Sequence, residues 1–335
     1  MRVDRGQLLR RAAAAAVAAG SFGGVETAAA AATPFPSHPR WKFVFVSPET
    51  TNPLFVPTQY GIQDACDLFG CTYEWTGSPD GDVHDIVRAV DSAVAAKAGG
   101  IAVSVVSAKP LAAPVGRAIA AGIPIVAFSL LDTAEMRLAF VGQDPYAAGL
   151  EAGARIAKLV GHGQVAVFAP DTPASLRRLD GAMTGIARSG AAVTVSRVHL
   201  DVQPLHQLGR IDEYLLASKA VRGALATDIT ATEGLGVTIE RRKLHLKAGG
   251  YGVLPATLKL IDEGRFDFTV DEDPYVLGFL SVVQLFLARY SGGLVGPANV
   301  DTGLRFVTKA NVRPYLSSKT RYEGSSSKRK FPITS

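Results

Sequence analysis

From residue 41 onward, short apolar runs rich in β-branched residues alternate with longer stretches of helical spacing. Residues 42–46 (KFVFV) form the first run, stopped by Ser47-Pro48. Residues 55–69 repeat their apolar positions every three to four and end at Gly70, the pattern of a helix with a glycine stop. Residues 72–75 read as a strand, and Asp82 as the cap of a helix that runs to Lys97 before Gly99-Gly100. The rhythm continues with strand 101–106, helix 111–121, strands 124–128 and 138–141, and helix 146–160. A second set has strands at 164–168, 193–198, 223–226, 246–249 and 266–270, spaced by helices at 174–189, 205–216, 230–241 and 255–263. Helix 275–290 and strand 304–307 close the series. Strands separated by helices predict βαβ units, hence α/β architecture with parallel sheets covered on both faces. The pattern breaks near residues 142–145 and predicts two doubly wound parallel-sheet lobes. In such sheets ligands lie beyond the carboxyl ends of the strands. The residues just after each strand are therefore the candidates for function.

The first 32 residues follow a different logic. Arg2, Arg5, Arg10 and Arg11 precede an alanine-rich apolar stretch, and residues 27–32 offer several small-residue cleavage sites. This is the layout of a cleaved signal peptide, and it predicts a periplasmic or otherwise extracytoplasmic protein. Glycine, threonine and proline between residues 20 and 36 argue against a helix of the mature chain. The serine-rich basic tail 317–335, with Lys328, Arg329 and Lys330, shows no apolar periodicity and reads as disordered.

Charge alters the picture little. The formal net charge is +5, and setting aside the four arginines and the two acids of residues 1–32 leaves +3. With the basic tail also discounted, the folded middle is near neutral, and nucleic acid is not an expected partner. Cys66 and Cys71 are the only cysteines. An exported chain makes them candidates for a disulfide, and two buried free thiols are the alternative. No Gly-rich dinucleotide fingerprint follows the first strand, no phosphate-binding loop is present, and no G-x-S-x-G elbow occurs. The six histidines never fall at metal-ligand spacing. No catalytic residue, metal or cofactor is implied.

The strand exits carry a different chemistry. They include Thr51, Asn52, Leu54, Phe55, Ser104, Ser107, Phe128, Ser129, Gln143, Asp144, Arg177, Arg178, Asp228, Asp271, Glu272 and Asp273. Amides, carboxylates and a guanidinium beside aromatic rings suit a ligand rich in hydroxyls, because each hydroxyl both donates and accepts. Ser, Thr, Asp and Asn also favour helix caps, so each residue alone has a second reading.

Ordered motifs then point to a family. They are Thr51-Asn52-Pro53-Leu54-Phe55, Ala120-Ala121-Gly122-Ile123-Pro124-Ile125-Val126, and Val141-Gly142-Gln143-Asp144 with Gly149 and Gly153. Arg178 with Gly181, Gly250-Tyr251-Gly252 with Pro255, and Glu272-Asp273-Pro274 with Gly278 complete the series. From about Trp41 to Val312 the chain resembles the type I periplasmic substrate-binding proteins of sugar ABC transporters, the ribose-binding group. The resemblance implies a first lobe of residues 41–142 plus 274–303 and a second of 143–273 plus 304–316, joined by a three-segment hinge. It implies a monomer that traps a simple sugar or polyol, meets the membrane only through an ABC permease, and is not an enzyme. It also implies ligand contacts from Asn52, Phe55, Ser129, Arg178, Asp228, Gly252 and Glu272. Ser129, Gly252 and Glu272 depart from the family pattern. Aspartates are usual at the first two positions, and glutamine or asparagine near the third. The resemblance therefore leads one to expect space for a larger sugar or polyol at Gly252. A binding protein that feeds a chemoreceptor or sensor kinase is the alternative partner reading. A lactose-repressor-type regulator would need a helix-turn-helix ahead of the core, which the first 40 residues do not offer.

Overall fold

The computed structural model describes residues 35–131 and 138–317. The expected leader over residues 1–32, and the basic tail past Ser317, lie outside the described residues. Two six-stranded sheets organise the chain. Strands β1 (Lys42–Ser47), β2 (Thr72–Gly77), β3 (Gly100–Val105), β4 (Ile125–Leu131), β5 (Ala139–Gly142) and β11 (Val300–Asp301) form the first, in the order β11-β5-β4-β3-β1-β2. Strands β6 (His162–Pro170), β7 (Ala192–Leu200), β8 (Val221–Ala226), β9 (Lys247–Tyr251), β10 (Phe268–Asp271) and β12 (Arg305–Thr308) form the second, in the order β12-β10-β9-β8-β6-β7. The winding is the same in both, with the order reversing beside β1 and beside β6.

Ten α-helices connect or cover these strands among the described residues: α1 (Val56–Phe69), α2 (Val83–Ala95), α3 (Ala108–Ala120), α4 (Pro145–Val160), α5 (Pro173–Arg188), α6 (Pro204–Ala217), α7 (Ile229–Arg242), α8 (Pro255–Asp262), α9 (Pro274–Tyr290) and α10 (Arg313–Ser317). Their starts follow from local chemistry. Asp82, Asp144, Thr172 and Asp228 each accept an N–H from the first turn that follows. Proline occupies the first turn of α1, α4, α5, α6, α8 and α9, where its missing N–H costs nothing.

Period-two alternation distributes the core. Phe43 and Phe45 face one side of the first sheet, against α1 and α9, while Val44 and Val46 face the other. In the second sheet Ala166 and Phe168 oppose Val165 and Val167 in the same way. Burial on both faces is why these strands read as continuous apolar runs.

Two elements differ from the sequence reading. Strand β11 is only two residues long and leaves no periodic signal. Strand β12 pairs antiparallel with β10, the one departure from parallel pairing among the described strands. Three residues separate β11 from β12, far fewer than a parallel crossover needs. The chain therefore enters the second sheet from its carboxyl end and runs the opposite way.

The expected disulfide is not formed. Cys66 and Cys71 are both buried free thiols within the aromatic core under α1. The Cys71 N–H donates to the Cys66 carbonyl at 2.8 Å, but its thiol turns toward the Phe69 carbonyl at 3.6 Å. Burial pushes the Cys71 thiol up to about 11 and raises Cys66 further, so both behave as small apolar side chains.

Close helix packing positions one future site residue. On α4, Gly149 and Gly153 press against α5, where a methyl at Gly153 would lie 2.2 Å from the Ala182 carbonyl oxygen and one at Gly149 2.1 Å from that of Arg178. The backbone of Arg178 is thereby clamped to α4 through its own carbonyl.

Candidate ligand cleft

The carboxyl ends of β1 and β3 in one sheet, and of β6 and β8 in the other, border a shared cleft of about 360 Å³. These are the points where strand order reverses, and diverging loops leave a crevice there. Its lining comes from the loop after β1 (Pro48, Glu49, Asn52, Leu54, Phe55), the end of β3 (Val105, Val106) and Ser129 of β4. The opposite wall is Asp171 to Ser175 and Arg178, Asp228 to Thr230, and Gly252, with Glu272 at the crossover.

Arg178 is the most constrained polar group in the cleft. Its Nη1 donates to the Thr227 carbonyl at 3.1 Å and its Nη2 to Glu272 Oε1 at 2.6 Å. The guanidinium also lies 4.3 Å from the centre of the Tyr251 ring. Burial works to lower its pKa, but Glu272, Tyr251 and Asp228 together hold it above the ordinary value. Burial conversely raises the Asp228 carboxyl, against the pull of the Ala231 amide and of Arg178. Burial also raises the Tyr251 hydroxyl.

Asn52 is oriented locally. Its Oδ1 accepts the Leu54 N–H at 2.9 Å and its Nδ2 donates to Glu49. Phe55 is mostly buried, with its ring 5.7 Å from that of Trp75. Ser129 adopts a left-handed backbone, φ 62°, at a bulge where β4 slips register against β3. Such bulges re-aim a side chain, and the strain they hold collects at functional sites.

All seven residues singled out for ligand contact line this one cleft. Several other strand-exit residues do not, and the cap reading accounts for some. Asp144 caps α4, Ser104 donates to the Phe128 carbonyl, and Phe128 is buried in the core. Arg177 turns outward, 5.4 Å from the Tyr146 ring. Asp271 accepts the Tyr315 hydroxyl at 2.7 Å, and Asp273 pairs with Arg305 at 3.3 Å. Asp228 serves both ends, since one carboxylate oxygen caps α7 while the residue faces the cleft.

The space expected at Gly252 is not there. A methyl at this position, φ 83°, would lie 2.5 Å from Ile229 Cδ1 and Cγ1. Ile229, the first residue of α7, fills the corner with apolar surface. The sequence reading missed Ile229 because its apolar type marks it as core, and it missed Glu49, Asp171 and Thr230 because nothing in their spacing separates them from loop residues.

Fold and cleft together define a two-lobed α/β binding protein with its site between the lobes. The family model for the periplasmic binding protein domain matches residues 43–288. The chain is 39% identical over 311 residues to the xylose/arabinose-binding protein XylF of Sulfolobus acidocaldarius, covering 87% of this chain and 76% of that relative. The sugar-binding protein of a sugar ABC transporter from Bacillus halodurans superimposes with a TM-score of 0.76 at 24% identity, covering 82% of this chain and 99% of the other. AraP, an arabinose-binding protein from Geobacillus stearothermophilus, gives 0.73 at 26% identity, with the same coverage. The chain belongs to the periplasmic binding protein family.

Proposed function

We propose that this chain captures a neutral pentose in its interlobe cleft and presents the loaded form to an ABC permease, without turning the sugar over. The observation that carries the reading is Arg178, held by Glu272 and Thr227 and flanked by Asp228, across the cleft from Asn52 and Phe55. Carboxylate, amide and guanidinium groups together satisfy hydroxyls that donate and accept at once. Among the described lining residues, four carboxylates (Glu49, Asp171, Asp228, Glu272) against one guanidinium disfavour anionic ligands such as sugar acids or phosphates.

Ile229 narrows the class. A hydroxyl buried against it would lose its partner, at about 1–3 kcal/mol. A ring that presents C–H there, as a pyranose without an exocyclic hydroxymethyl group does, escapes that cost. The sugars named for XylF of Sulfolobus acidocaldarius, xylose and arabinose, are of this kind.

A melting-temperature screen of the purified chain tests the reading. D-xylose and L-arabinose should stabilise it, by about 2.7 kcal/mol at a hundred times the dissociation constant. D-glucose and D-galactose should do so only at far higher concentration. A hexose or a sugar acid that binds tighter than either pentose would overturn the assignment.

The basic, apolar, small-residue layout of residues 1–32 supports export and cleavage. Mass spectrometry of the chain recovered from the cell envelope should find a start near Thr33, whereas an intact Met1 in a cytoplasmic fraction would refute it.

A further inference from the structure

Among the described residues, eight buried side-chain nitrogen or oxygen atoms have no hydrogen-bond partner. Three belong to side chains that line one small cavity between the cleft floor and the hinge: Thr58 Oγ1, Gln143 Oε1 and Arg178 Nε. Gly142, Glu272, Pro274 and Leu277 help to close it, and its volume is about 20 Å³. One water needs about 10–15 Å³ of such space and takes about three polar partners. The chemistry of the three groups is complementary: Nε donates, Oε1 accepts, and the threonine hydroxyl does either. Folded proteins rarely leave buried polar groups unpaired, and three around one water-sized space share one remedy.

We propose that this cavity is the seat of a single resident water that accepts from Arg178 Nε, donates to Gln143 Oε1 and bonds Thr58 Oγ1. Its partners come from three parts of the molecule: Thr58 from α1 on the first sheet, Gln143 from the first crossover, and Arg178 from α5 on the second sheet. The other bonds that hold the guanidinium come from Thr227 and Glu272, so the water is the route by which the first lobe reaches it. Gln143 is itself fixed to the hinge, since its Nε2 donates to the Gly303 carbonyl at 2.9 Å. Thr58 and Gln143 are thus positioning residues: they set the pose of Arg178 without touching ligand.

Crystals of the purified protein test the water directly, and the sugar-free crystal does so independently of the sugar reading, with a second crystal loaded with D-xylose where that sugar binds. A density peak within hydrogen-bond distance of all three atoms in both crystals is expected. No peak, or a sugar hydroxyl in its place, overturns the proposal. The binding arm rests on the pentose reading and uses calorimetry with D-xylose and L-arabinose. Thr58→Val should weaken binding by about two- to tenfold, the worth of one buried hydrogen bond. Thr58→Ser should restore most of it, with unliganded melting temperatures recorded to separate folding from binding. Because Thr58→Val and Gln143→Leu disturb the same water, their combined loss should be smaller than the product of the single losses. Losses that multiply, or a Thr58→Ser variant as weak as Thr58→Val, would refute the shared water. If neither sugar binds the parent protein, the pentose reading fails while the sugar-free crystal still decides the water.

Discussion

Arg178 concentrates the energetics of the cleft in one side chain. It is buried, ion-paired to Glu272 at 2.6 Å, and stacked over Tyr251. Removing a charged hydrogen-bonding group from a desolvated site costs about 1.5–3 kcal/mol. Arg178→Ala should therefore weaken sugar binding by roughly ten- to a hundredfold in calorimetry, with the circular dichroism spectrum unchanged. Arg178→Lys should recover little, because an ammonium cannot serve Thr227 and Glu272 as a planar fork does. Undiminished affinity in Arg178→Ala would remove the residue from the site. At this scale the sequence was informative where a residue's type is unusual for its place. A guanidinium in the second turn of a helix after a strand stands out, whereas aspartate at a helix start does not, because capping alone accounts for it. It was uninformative where type and role diverge. Ile229 looks like core but shapes the cleft, and Cys66 with Cys71 looked like a pair but packs as two small apolar groups.

At the scale of elements, most strands and helices were legible because burial on both sheet faces writes itself as apolar runs. Tertiary devices were not. The bulge at Ser129, the two-residue β11 and the reversed β12 arise from pairing geometry, to which local periodicity is blind. The α4–α5 contact lies between these cases: its glycines are visible in the sequence, but their closeness is not. A methyl at Gly153 meets a fixed backbone oxygen at 2.2 Å, which no rotamer change relieves. Overpacking of this kind costs about 1–3 kcal/mol, against about 1 kcal/mol gained from alanine's higher helix propensity. The clash wins, so Gly153→Ala should lower the urea midpoint. It should also weaken ligand binding, because α5 carries Arg178. Gly116 in α3 has no atom within 4 Å of an added methyl. Gly116→Ala should therefore stabilise by up to about 1 kcal/mol and leave binding unchanged. Equal effects from the two substitutions would show that the α4–α5 contact is not under compression.

At the scale of the whole molecule, three chain segments among the described residues pass between the sheets and are stitched to one another. The Thr302 N–H donates to the Gly142 carbonyl at 3.3 Å, and its hydroxyl to the Glu272 carbonyl at 3.4 Å. Gln143 reaches Gly303, and Arg305 reaches Asp273. These ties fix the crossovers to one another, so any rotation of one sheet against the other would pivot there. Asn52 lies on one side of the cleft and Arg178 and Asp228 on the other. A ligand bonded to both sides has full affinity only for the arrangement that brings them together, and that differential affinity is what shifts a population. Moving an equilibrium from 1:99 to 99:1 takes about 5.5 kcal/mol of preference. Two or three charge-assisted bonds made only in the closed form supply that amount. Small-angle scattering should therefore show a smaller radius of gyration at saturating D-xylose than without sugar. At a fixed concentration that half-saturates the parent, Arg178→Ala should show less compaction. Asn52→Ala should do the same, since either change removes one side of the bridge. If the radius stays constant while calorimetry reports full occupancy, binding does not close the lobes, and the signal to a permease must lie elsewhere on the surface.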